Sequence, residues 1–134
     1  MDAAQALADL TEISSQIEIA VLLDGQGRIT GSTVDDELRS SRLAEGAKKL
    51  LAAAEEVRSE GETLTQIEAA TLEGSVFVVR DGDHVIAATT SPEPTVGLVF
   101  YDLKSCLRST AAAAAPTPAP KKRAPAKKKA DAAP

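Results

Sequence analysis

One histidine, one cysteine and a few clustered carboxylates are the reactive side chains this 134-residue sequence offers. His84 stands at the start of a predicted strand beside a turn. The sequence holds no second histidine, and its one cysteine is far away, so no metal site of the usual spacing can be assembled. Cys106 falls on the apolar side of a predicted helix, which points to a buried structural thiol rather than a nucleophile. Asp81 and Asp83 bracket Gly82. Paired carboxylates can exchange protons, but D-G-D between two apolar runs is turn chemistry. Asp35, Asp36 and Glu37 precede a helical pattern, where acids complement the positive amino end. The run "GQGRITGST" has three glycines but neither the lysine nor the spacing of a phosphate loop, and it leads into a strand. No serine sits in a nucleophile elbow. The expectation is no catalytic residue, no metal and no cofactor: a domain that acts by binding other proteins.

The carboxyl-terminal stretch is a separate chemical object. Residues 111–134 carry Lys121, Lys122, Arg123, Lys127, Lys128 and Lys129 against Asp131 alone. The overall net charge of −5 therefore divides into +5 on this stretch and −10 on the preceding 110 residues. "KKRAPAKKK" has the character of a phosphate-backbone binder. With all six cations engaged on duplex DNA, log affinity would fall against log salt with a slope of roughly −5. It has no aromatic to stack on bases, so weak, nonspecific binding to nucleic acid or another polyanion is the most it can supply. A solubilising appendage and a segment folded back on the acidic body are the alternatives. Alanine, proline and lysine dominate here, with no large apolar residue, so 111–134 is expected to be disordered.

The elements that carry these residues follow from periodicity. From Asp2 to Ser15, Ala3, Ala6, Leu7, Leu10 and Ile13 keep a helical rhythm. "IEIAVLLD" places Ile17, Ile19, Val21 and Leu23 on one face and Ala20 and Leu22 on the other, which suits a central strand covered on both sides. A glycine turn and "RITGST" complete a hairpin. A long helix then runs toward Gly61, a residue suited to ending it. Its apolar positions are Leu43, Ala47, Leu50, Leu51, Ala54 and Val57, with Glu45 and Lys49 paired on the outer face. The stripe widens to include Ala44 as well as Leu51, more than one sheet contact requires, so this helix is expected to meet a second partner.

Three strands follow, Thr63 to Thr71, Ser75 to Arg80 and Asp83 to Thr90, joined by short turns as an antiparallel meander. "VFVV" is apolar on both faces and central; Thr63 to Thr71 has the mixed composition of an edge. A last helix, about Thr95 to Ser109, turns Val96, Val99, Phe100, Leu103, Cys106 and Leu107 inward. The predicted architecture is an α/β (α+β) domain over residues 1–110, ordered α-β-β-α-β-β-β-α. It has a five-stranded antiparallel sheet with helices on both faces.

Apolar residues make up 43% of the sequence and aromatics only 2%, enough for a shallow core of Leu, Ile, Val and Ala. No run of 18 apolar residues encodes a membrane span. The single cysteine fits a reducing compartment, and the acid-bearing start lacks the features of a secretory signal. The expected location is cytoplasmic.

"IAVLLDGQGRITGS", "LAEGAKKLLAAA", "IEAATLEGSVFVVRDGDHVIAATT" and "TVGLVFYDLKSCL" together resemble the Roadblock/LC7 domain family, including its bacterial MglB-like members. The resemblance spans about residues 2–109. It implies a homodimer in which the long helices pack together and the third strands pair edge to edge into a ten-stranded sheet. Ala44, Ala47, Leu51, Ala54, Thr65 and Ile67 are the residues expected at that interface. It also implies a non-catalytic scaffold or regulator for a small Ras-like GTPase or a signalling complex. Two other readings remain at this stage. One is a nucleoid or polyanion binder acting through the basic tail. The other is a small-molecule sensor of profilin- or PAS-like shape, disfavoured because few large side chains are present to line a pocket.

Overall fold

The computed structural model describes residues 2–58 and 65–114. Helix α1 (Ala3–Ile13) starts where the Asp2 carboxylate accepts the Gln5 N–H at 2.8 Å. Strands β1 (Ile17–Leu23) and β2 (Ile29–Ser32) form the first hairpin. Helix α2 (Glu37–Val57) is capped by Asp36, whose side chain accepts from Leu38 N and Arg39 N. Strands β3 (Gln66–Thr71), β4 (Gly74–Asp81) and β5 (His84–Thr90) make the meander, and α3 (Val96–Ala114) follows them. The strands lie in the order β2-β1-β5-β4-β3, every pair antiparallel, with β3 at an edge. The predicted order and sheet are therefore observed.

Two cores lie on opposite faces of this sheet. Under α1 and α3, Leu7, Leu10, Leu22, Phe77, Ile86, Leu103 and Leu107 pack together, and the Phe77 and Phe100 rings meet edge to face at 5.0 Å. Under α2, Ile19, Val21, Leu23, Val78, Val85 and Ala87 pack against Leu43, Ala44 and Ala47. Alternation along β1 sends Ala20 and Leu22 to one core and Val21 and Leu23 to the other, so β1 is central as expected. Ile17 breaks the alternation. A register shift between Ile17 and Ile19 turns it to the α1/α3 side, where it packs half-buried.

Other departures from expectation have local causes. Ile13, Val57 and Val96, all assigned inward, are 65%, 83% and 37% exposed. Each sits at a helix end, where the apolar stripe has run past the sheet. Glu45 pairs with Lys48 at 2.8 Å rather than with Lys49, one turn position short of the expected partner. Helix α2 ends at Val57, with Arg58 N–H on Ala54 O; Gly61 and the expected strand start at Thr63 lie outside the described residues. Helix α3 runs to Ala114, four residues into the stretch assigned to the tail, because alanine is the strongest helix former. Residues 115–134, including all six tail cations, lie outside the described residues.

Candidate interaction surface

His84 is half-buried at the strand end, and Cys106 is buried in the α1/α3 core. Burial, then the nearby Asp9 charge, pushes the Cys106 thiol up to about 11, so it stays protonated near neutrality. Among the described residues no group of three or more His, Cys, Asp or Glu is placed to hold a metal. None of their helices is long and apolar enough to cross a membrane.

Helix α2 packs on its face of the sheet and is fastened at both ends. Near its start, the Ser40 and Ser32 hydroxyls meet at 2.7 Å, tying the first turn to β2. At its end, Glu55 pairs with Arg80 of β4 at 2.6 Å and also with Arg58. The two guanidiniums hold the Glu55 carboxyl below the ordinary glutamate value, the Arg80 hydrogen bond first. Glu55→Gln is therefore expected to lower the thermal midpoint at pH 7. The stability gained from a depressed carboxyl is present above its unfolded-state value and is lost as pH falls through the folded value. The gap between the two proteins should close on acidification below the ordinary value of 4.5. A pH series of thermal melts checks this; a gap that persists in acid would mean the ion cluster is not its source.

Beside α2, one strip of the sheet stays uncovered. Ile19 of β1, Thr89 of β5 and Val76 of β4 face each other across paired strands there. With Leu43, Gly46, Leu50 and Ala53 of α2 they line an open apolar groove of about 720 Å³, rimmed by Arg39, Arg42 and Lys49. Gly46 is in the interior of a 21-residue helix, and a Cβ there would meet nothing within 4 Å. A glycine at such a position costs about 1 kcal/mol of helix stability relative to alanine, with no packing reason inside this chain.

The predicted interface residues divide across this geometry. Ala44 and Ala47 are 2% and 0% exposed, packed against their own sheet. Leu51 and Ile67 are half-buried on the same core. Ala54 is half-buried; Thr65 is exposed at the edge, its carbonyl accepting Arg80 N–H at 2.8 Å. Gly46, Leu50, Ala53, Val76 and Thr89 were missed as surface residues. A helical projection gives the width of a stripe, not which side of it a sheet covers. The interior glycine was the available signal.

No protein-family model matches the chain, and no curated protein matches it. Solved structures do. A Roadblock/LC7 domain from Streptomyces avermitilis superposes with a TM-score of 0.72 at 17% identity, covering 84% of this chain and 98% of that one. The gliding protein MglB from Thermus thermophilus gives 0.61 at 15%, covering 82% and 86%. A profilin solved in complex with rabbit actin gives 0.57 at 12%, covering 79% and 92%. With the same element order, sheet and helix placement, the chain has the Roadblock/LC7 fold.

Proposed function

We propose that the chain is a homodimeric, non-catalytic platform that regulates a small Ras-like GTPase. The observation that carries this reading is the uncovered apolar groove along α2, on the same sheet face as the half-buried Ile67 of edge strand β3. A second copy of α2 laid antiparallel in the groove would cover Leu50 and Ala53 and make use of the close approach that Gly46 allows. It would also bring Arg39 and Arg42, in the amino half of the helix, toward Glu56 in the carboxyl half of its partner. Pairing of the two β3 edges would continue the sheet. The likeness to MglB and to Roadblock/LC7 domains supports regulation of a GTPase as the task of such a dimer.

The test is co-elution of the full chain with small Ras-like GTPases from the same genome, each loaded with GDP or with a non-hydrolysable GTP analogue. A stable complex with one of them in one nucleotide state is the expected result. Absence of any complex in either state would overturn the GTPase reading. The tail-driven alternative separates from it when the six tail cations are replaced by glutamine. DNA binding that disappears with them, beside no GTPase complex, would favour the polyanion reading.

A further inference from the structure

A second groove lies on the opposite face of the molecule, between α1 and α3. Gln16, just past α1, accepts the Thr95 N–H at the start of α3 at 2.6 Å, so the two helices run antiparallel. The groove between them, about 300 Å³, is lined by Asp9, Glu12 and the exposed Ile13 on one side and by Asp102 and Ser105 on the other. Asp102 is only 6% exposed, yet it makes no ion pair among the described residues. Burial pushes its carboxyl up. The Ser14 hydroxyl pulls the other way but has no well-formed hydrogen bond. A buried carboxylate opening into an acid-lined groove, with no cation beside it, is an unusual arrangement unless something cationic completes it.

The cations of the folded domain do not. Residues 1–27 hold five acids, Asp2, Asp9, Glu12, Glu18 and Asp24, and no base. Lys104 and Arg108 of α3 line a different depression, with Arg80 and Asp81. Arg39, Arg42, Lys48 and Lys49 belong to α2, which packs on the other core, while Arg28 pairs with Asp24 and Arg58 with Glu55. The six other cations of the sequence follow α3, the helix that forms one wall of the groove. Ala114 is twelve residues beyond Asp102, about 18 Å along the helix. Seven extended residues from Ala114 to Lys121 span at most about 25 Å. Lys121 can therefore return as far as Asp102, and the later cations can reach Glu12 and Ile13.

We propose that the α1/α3 groove receives the chain's own basic segment, residues 121–129, in an intramolecular contact centred on Asp102, Asp9 and Glu12. This contact is independent of the GTPase reading. It makes the tail's availability to any polyanion a competition with the domain that carries it.

The experiment uses the full chain carrying Ala124→Cys labelled with a nitroxide; Cys106, buried and protonated, is left unlabelled. Amide signals of Asp9, Glu12, Ile13 and Asp102 should lose most of their intensity at low salt. They should recover at about 1 M salt, where the screening length is about 3 Å. Asp102→Asn should abolish the effect. The paired surface changes Asp9→Asn and Glu12→Gln should weaken it and serve if the Asp102 variant fails to fold. Broadening elsewhere, or none, would overturn the groove assignment. Broadening that passes from labelled chains to unlabelled ones would overturn the intramolecular contact in favour of a second copy's tail.

Discussion

Leu50→Glu is expected to halve the solution mass of the chain while leaving each copy folded. Leu50 and the neighbouring Leu51 are both half-buried against the core under α2, but only Leu50 of the two lines the α2 groove. A carboxylate at position 50 can stay solvated in a single copy, but a partner helix would have to desolvate it. Removing an apolar anchor from the centre of an interface costs about 2 kcal/mol or more, a roughly 30-fold weaker association. The buried charge adds to that. Light scattering of the full chain over a concentration series reads the mass, and circular dichroism reads the fold. Unchanged mass would remove this groove from any interface and take the shared-sheet argument with it. Leu51→Glu is a poorer probe, because Leu51 packs on that core without lining the groove.

The largest loss of stability is expected from Gly74→Ala at the start of β4. Gly74 has φ +156, and a Cβ added there would lie 2.4 Å from the Thr90 carbonyl oxygen. That atom is backbone of β5, and β5 is paired along its length on both sides, so it cannot move aside alone. The β3–β4 turn and the β4–β5 register must shift together. Backbone conflicts of this kind cost roughly 2–4 kcal/mol, a large part of the roughly 5–15 kcal/mol that holds a domain folded. A fall in the thermal midpoint of about 10 °C or more follows. Gly82→Ala serves as the comparison: its φ of +63 is also left-handed, but its Cβ would meet no atom within 4 Å. Equal losses at both positions would mean that backbone conformation alone, not the Thr90 contact, sets the cost.

The fold was legible because its signals are local and agree with one another. Asp2 and Asp36 stand as caps directly before helical stripes, and the alternation in "IEIAVLL" and "VFVV" marks strands covered on both sides. What could not be read was relative placement. Whether Ala44 or Gly46 faces the sheet depends on how α2 is turned about its own axis. That placement is held by contacts between elements, the Ser32–Ser40 hydroxyls and the Glu55–Arg80 pair. The bulge that turns Ile17 is likewise a property of two strands, invisible in either alone. Asp102 escaped notice because it lies between apolar residues of a helix whose other assigned core positions, from Val99 to Leu107, are buried. Only the packing of α1 against that helix makes its carboxylate conspicuous.

The two cores meet only through the backbone of one sheet. Val78 belongs to one and its chain neighbours Phe77 and Val79 to the other. Substitutions on opposite sides share no side-chain partners, so their effects on stability should sum with little coupling. Such a molecule can change what it holds on one side without retuning the other. The proposed α2 contact and the proposed α1/α3 contact lie on opposite sides of that divide, so substitutions at one should leave the other unchanged.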